Sequence, residues 1–194
     1  MASYIIFWPK DKIETYVKNG DTGPLQVIFG GPHRSQPPLG KVAAGDTVFP
    51  VTVAKGKMYL LGRMEIEKIL DAETYIREVV AKNQPAITAR AGQNNRGIDS
   101  IMWDTYRYTH KETVTHTIPW TCADQAALGR NGTSIQKRDV PESVLDAVRL
   151  GPRETPLKTQ GGIIAAHSLQ GHFRLLNKEA ERLFNELFAL EKGI

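Results

Sequence analysis

The chain has 194 residues, 41% hydrophobic and 24% charged, with a formal net charge of +4 and a pI near 9.2. This is globular composition, and no apolar run approaches the ~20 residues needed to span a bilayer. The single cysteine, Cys122, excludes an internal disulfide, and the apolar residues near the start lack the basic flank and length of a signal peptide. The expectation is a cytoplasmic protein with no membrane association and a weak tilt toward polyanionic partners.

Tyr4 to Trp8 (YIIFW) is a bulky run that predicts a buried strand ended by Pro9. Ile13, Tyr16 and Val17 then share one helical face before the Asn19-Gly20 stop. Leu25 to Phe29 predicts a second buried strand. The segment 30–40 is dominated by Gly and Pro, which free the backbone or remove its donors, so neither helix nor sheet is expected there. It carries Arg34 and is either a plain surface connection or a binding loop beside the sheet.

Lys41 to Ile69 predicts a hairpin. Gly45-Asp46 is a turn signal, Thr47 to Val53 the first arm, Ala54 to Lys57 the connection with its one glycine, and Met58 to Ile66 the second arm. Asp71 is placed to cap a helix through about Lys82, with Ala72, Tyr75, Ile76, Val79 and Val80 on one stripe. The polar segment 86–97 carries Arg90 and Arg96 without apolar periodicity, which predicts a loop.

Residues 98–122 concentrate Trp103, Tyr106, Arg107, Tyr108, His110, His116 and Trp120, with strand-like character at 113–118. Gly129 to Gly132 predicts a turn, and Asp139 with Pro141 opens a helix bearing Val144, Leu145 and Val148, stopped by Gly151-Pro152. A loop at 156–162 and short strands at 163–166 and 172–175 follow. Asn177 then caps a final helix in which Ala180, Leu183, Phe184, Leu187 and Phe188 repeat at i, i+3, i+4, i+7 and i+8. Without an internal repeat or a long linker, one domain over 1–194 is the simplest organisation.

The strand–helix–strand opening, the Gly45-Asp46 turn into Thr47 to Val53, the stretch Tyr59 to Ile66 and the closing Phe173 to Leu175 with its helix resemble the PUA-like superfamily of EVE, ASCH and YTH domains. The resemblance covers about half the chain and has no counterpart for residues at about 83–160. It implies an α+β fold, a small, partly open β-barrel with helices packed at its rim and an elaborated middle insertion. It also implies binding of RNA or modified bases, or, as in some ASCH-like members, hydrolase activity.

Nucleic-acid binding needs cations for phosphates and flat side chains for unstacked bases. Arg34, Arg90, Arg96 and Arg107, with Arg130, Lys137 and Arg138, interleave with Trp103, Tyr106 and Trp120 in that way. An aromatic pocket of this kind can hold a flipped base. Alternatively, the tryptophans are core and the cations a solvated face. The expected partner is nucleic acid, RNA or modified DNA. A hydrolase acting on RNA or a modified nucleoside is the second possibility. A protein-binding antitoxin or immunity-like module is the third, since Trp, Tyr and Arg also dominate protein hot spots.

His33, His110, His116, His167 and His172 match no zinc spacing, so no metal is expected. Cys122 lacks a nucleophile signature and is expected to be structural. Lys41, Lys57, Tyr59 and Ser168 could supply a ribonuclease-type set, but their spacing does not demand one. The Gly-Gly pairs at 30–31 and 161–162 lack a phosphate-loop context, so no nucleotide cofactor is expected.

Overall fold

The structure, a computed structural model, describes residues 1–8, 10, 13–14, 17, 24–30, 42–75, 125–157, 159–160, 163–166, 169 and 174–189. In chain order the elements are β1 (Ser3–Phe7), β2 (Val27–Gly30), β3 (Thr47–Ala54), β4 (Lys57–Leu60), β5 (Met64–Asp71), α1 (Ala72–Tyr75), β6 (Gln125–Arg130) and β7 (Arg138–Asp139). There follow α2 (Glu142–Ala147), β8 (Arg149–Leu150), β9 (Thr155–Pro156), β10 (Thr159–Gln160), β11 (Ile163–Ile164), β12 (Arg174–Leu176) and α3 (Lys178–Ala189).

The main sheet runs β2-β6-β5-β3-β1-β12-β8-β9, with β4 pairing both β3 and β7, while β10 and β11 form a separate pair. The architecture is α+β and mostly sheet, and among the described residues the sheet does not close on itself. β1 and β3 are parallel, Ser3 to Phe7 facing Thr47 to Val51; β12 is antiparallel on the other side of β1. Residues 125–156 supply β6 to β9 and α2, so much of the stretch expected to be inserted belongs to the main sheet.

Both faces of the central strands are buried, as expected of strands covered on two sides. Tyr4, Ile6 and Trp8 join Ile28, Val48, Met64, Ile66 and Ala127 in one cluster. Ile5 joins Phe49, Val51, Leu60, Phe184 and Phe188 in the other. The first cluster draws on β1, β2, β3, β5 and β6, on the links that hold Trp8, Val42, Leu61 and Ile135, and on Ile13 as its helical member. The second is sheet against helix. Phe184 meets the Phe49 ring edge-on at 5.5 Å and Phe188 stacks on it at 6.3 Å, both geometries favoured by the ring quadrupole.

The predicted hairpin forms, but its second arm is two strands. β4 pairs with the end of β3 (Val51 opposite Leu60) and β5 with its start (Thr47 opposite Glu65); Leu61 to Arg63 bridge the break. Pro50 sits at that transition. Its carbonyl accepts from the Leu61 N–H at 2.8 Å, so its missing donor faces the irregular link rather than a regular ladder. The connection narrows to Lys55-Gly56, at φ 51° and 75°, the two positive values a tight hairpin loop requires.

Other expectations shift by register or partner. Val17 is helical but 60% exposed, while Ile13 is buried; the aromatic at 16 lies outside the described residues. The turn expected over 129–132 starts later, because Gly129 and Arg130 still pair in β6 and Asn131 takes φ 53°. Asp139 is in β7, not the helix, which starts after Pro141 and ends at Ala147 before Gly151 is reached. Asn177 precedes α3 as expected, yet its side chain reaches across to β8. Oδ1 accepts from the Arg149 N–H at 3.0 Å and Nδ2 donates to the Ala147 carbonyl at 3.1 Å.

The Gly45-Asp46 corner locks the sheet. Gly45 takes φ 88° in a turn closed by the Asp46 N–H on the Ala43 carbonyl at 3.1 Å. The buried Asp46 carboxylate accepts from the Ala2 N–H at 2.7 Å and the Ala43 N–H at 2.9 Å. The Asp46 carbonyl accepts from the Ile66 N–H at 2.7 Å, and the Gly45 N–H donates to the Ile66 carbonyl at 2.8 Å. Asp46→Ala leaves both amides without their charged acceptor; at roughly 1.5–3 kcal/mol per hydrogen bond to a charged group, the expected loss in urea unfolding is about 3–6 kcal/mol. A loss under ~1 kcal/mol would show that the corner is held by its backbone alone.

Candidate nucleic-acid interface

Arg34, Arg90, Arg96, Trp103, Tyr106, Arg107 and Trp120 all lie outside the described residues, as do the histidines, Cys122, Lys41 and Ser168. The structure describes the places where their segments leave and rejoin the sheet. Segment 31–41 leaves from Gly30 at the end of β2; segment 76–124 leaves from α1, directly after β5, and returns at Gln125, the start of β6. Gly30 is paired with Gln125, and Gln125 with Asp71. At a strand spacing of roughly 4.7–4.9 Å, the three ends stand side by side at one end of the sheet. Segment 31–41 rejoins at buried Val42, just before the Gly45 contact to β5.

Local chemistry stiffens this end. Asp71 starts α1 as its sequence position predicts, Oδ1 accepting from the Thr74 N–H at 2.7 Å and Oδ2 from the Thr74 hydroxyl. That side-chain cap satisfies amides which a helix start leaves open. α1 rests on β5 and β6, and Tyr75, its last residue, is buried. Burial pushes the Tyr75 phenol up to about 12. Glu67 is the extra residue of a bulge between Ile66 and Lys68, and Lys68 and Asp71 are exposed.

At the opposite end of β5, two of the expected phosphate-facing cations have other tasks. Arg130 donates to Glu65 Oε1 through Nε at 2.9 Å and through Nη2, and Asn131 Nδ2 donates to Oε2 at 3.3 Å. Those hydrogen bonds, Arg130 first, hold the Glu65 carboxyl below its ordinary range. Arg138 points Nη1 at the Leu61 and Gln136 carbonyls, at 3.4 and 3.3 Å, and lies 4.6 Å from the Phe188 ring centroid, a cation–π distance. Glu65 and Arg130 are direct cross-strand partners. A pairing 65 residues apart leaves no local trace, so the sequence could not reveal it.

The backbone at this corner is packed to contact. A Cβ on Gly132 would meet the Leu25 carbonyl oxygen at 1.8 Å, so only glycine fits there, and one on Gly62 would meet the tip of the Leu25 side chain at 2.6 Å, which would have to shift. Among the described residues no group of three His, Cys, Asp or Glu could hold a metal ion, and no helix is long and apolar enough to cross a membrane.

No protein-family profile and no curated protein matches the chain. Solved structures do resemble it. The crystal structure of ASCH from Zymomonas mobilis is 16% identical, with 96% of this chain and 95% of that chain covered and a TM-score of 0.43. A tyrosine-to-phenylalanine mutant of the same protein gives 16% identity, coverage of 96% and 99%, and a TM-score of 0.44. Its serine-to-alanine mutant gives 15%, 96% of each chain and 0.44. Likeness at this level carries no functional assignment.

The buried Tyr75 phenol makes a pH prediction. Below pH ~10 the phenol is neutral in both folded and unfolded chains; above it the unfolded chain ionises first, so this contribution to stability is lost as pH rises toward 12. In an ultraviolet titration of the six tyrosines, Tyr75→Phe is expected to remove amplitude from the late phase, to which Tyr4, raised by burial and by Asp46, also belongs. Loss of amplitude from the ordinary phase instead would place Tyr75 in water.

Proposed function

We propose that the chain is a PUA-like nucleic-acid-binding domain that takes single-stranded RNA or a modified or flipped base in an aromatic pocket. The observation that carries this reading is the pairing of Gly30 with Gln125 and of Gln125 with Asp71. It tethers both ends of segment 76–124 and the departing end of segment 31–41, the segments bearing the interleaved arginines and aromatics, to one end of one sheet. Charge supports it. Segment 31–41 holds Arg34 and Lys41 with no acid, and segment 76–124 holds six basic against five acidic residues, so three of the formal +4 reside there.

In this reading Arg34, Arg90, Arg96 and Arg107 engage phosphates, while Trp103, Tyr106 and Trp120 stack on bases. The interface combines residues 30–40, 86–97 and 103–120. One core cluster to which β1, β2, β3, β5 and β6 all contribute favours a sheet curled into the small, partly open barrel of the PUA-like group. One domain spans 1–194 with an insertion at about 83–160, of which residues 125–130, 138–139, 149–150 and 155–156 pair in the main sheet.

The test is fluorescence anisotropy with short single-stranded RNA, single-stranded DNA and duplex DNA across a salt series. The expected result is binding to single strands with a clear negative slope in log salt. At about 0.7 per single-strand phosphate contact, replacing Arg90 and Arg96 together by Ala should flatten that slope by roughly 1.4. An unchanged slope removes the 86–97 segment from the interface. Absence of binding to any polymer at low salt and to modified bases overturns the proposal, and RNA turnover would recast the domain as an ASCH-type hydrolase.

A further inference from the structure

The corner opposite the loop-bearing end holds an arginine that the fold leaves unused. Arg63 ends the link between β4 and β5 and is clamped by its backbone. Its N–H donates to Thr133 Oγ1 at 2.9 Å, and its carbonyl accepts from the Thr133 N–H at 3.0 Å. Thr133 in turn accepts through its carbonyl from the Leu25 N–H at 3.0 Å, and the Leu61 carbonyl accepts from the Gln136 N–H at 3.0 Å. With Gly62 and Gly132 pressed against Leu25, the base of the side chain has little freedom to move.

The side chain itself is unsatisfied. Arg63 is half-buried, and its Nε is shielded from solvent with no hydrogen-bond partner. Glu65, whose carboxyl Arg63 also helps to hold down through space, has Oε1 engaged by Arg130 and Oε2 by Asn131. Arg63 and Lys137 make no side-chain hydrogen bond or ion pair among the described residues, whereas Arg130 and Arg138 are committed to Glu65 and to the Leu61 carbonyl with the Phe188 ring. A guanidinium cannot relieve burial by losing its proton, and a shielded donor without an acceptor is unfavourable. A rigidly based, charged fork lacking an acceptor fits an anion with several oxygens on one centre, for which bidentate arginine geometry is suited.

We propose that Arg63 is the centre of a phosphate-binding point at the β4–β5 corner, distinct from the loop-bearing end and separated from it by the length of β5, roughly 26 Å at ~3.3 Å per residue. Lys137, exposed on the adjoining segment, adds positive charge for the same group. The phosphate comes either from a nucleic-acid backbone, in which case the point rests on the proposed function and requires a strand that spans the distance, or from a free phosphorylated ligand.

The experiment follows the side-chain Nε–H resonance of Arg63 by NMR in the unmodified protein. Inorganic phosphate is titrated against chloride at matched ionic strength, and oligonucleotides of two lengths are then added, one shorter and one longer than the span of β5. A saturable shift of that resonance with phosphate, accompanied by saturable shifts of the Gly62 and Thr133 backbone amides that Arg63→Gln abolishes, supports the site. A shift with the longer oligonucleotide alone assigns the group to a strand backbone, and a salt slope lower by about 0.7 in Arg63→Gln should accompany it. Saturation by phosphate with no oligonucleotide binding anywhere keeps this site while the proposed function fails. No shift with phosphate or with either oligonucleotide overturns the proposal.

Discussion

The Asp46 carboxylate accepts from the amides of Ala2 and Ala43 while the backbone on either side of it bonds to Ile66, and three strands acquire their mutual register from that one corner. β1 begins one residue after Ala2, β3 one residue after Asp46, and β5 contains Ile66. Chain termini fray unless tied down, yet β1 divides its residues between both core clusters. The β1–β3 pairing is parallel, so it cannot form through a local turn and must be made by a long crossover. A short acid at the start of β3 supplies the acceptor that makes this non-local pairing well defined.

From this corner the two faces diverge in construction. On the face of Phe49, α3 supplies Phe184 and Phe188, and Asn177 fastens the helix start to Ala147 and Arg149. On the face of Val48, five strands and the links between them supply most of the core. The surface charge of the described helices is settled locally, Lys178 with Glu181 and Arg182 with Glu186, pairs that are exposed and individually worth little. Cations available for a partner are therefore to be sought away from α3.

What was legible in the sequence follows the range of the interaction. The Gly45-Asp46 turn, the Lys55-Gly56 reversal, the Asp71 cap and the stripe of α3 are written in spacings of four residues or fewer, and each appears where the residues place it. The division of β4 from β5 was not legible, because it is set by which part of β3 each strand meets and by Pro50 at the changeover. Nor was the insertion of β6 between β2 and β5, since Gln125 to Arg130 (QAALGR) lacks the β-branched alternation that marks a strand. Gly129 and Arg130 look like turn residues until Glu65 is known to lie opposite Arg130. The candidate site was legible only as composition, and its residues lie outside the described part; that three of the four ends of their segments meet at one end of the sheet emerges from strand register alone.

β5 links these observations, because its two ends carry opposite arrangements of charge. Toward Asp71 the sheet ends on paired strand termini from which cation-bearing segments depart. Toward Met64 the corner is closed by backbone contacts so tight that Gly132 admits no side chain, and four basic residues, Arg63, Arg130, Lys137 and Arg138, approach it. Two of these are consumed by the fold, and the hydrogen bonds of Arg130 and Asn131 to Glu65 leave Arg63 only a through-space interaction with that acid. A corner evolved only for stability would gain by pairing Glu65 with the more buried guanidinium, since desolvated charge gains most from a partner. Assignment of Glu65 to the more exposed Arg130, whose side chain is 58% exposed, leaves the Arg63 charge without a hydrogen-bonded acid on a backbone fixed by Thr133, and a positioned base of that kind is what an anion site requires.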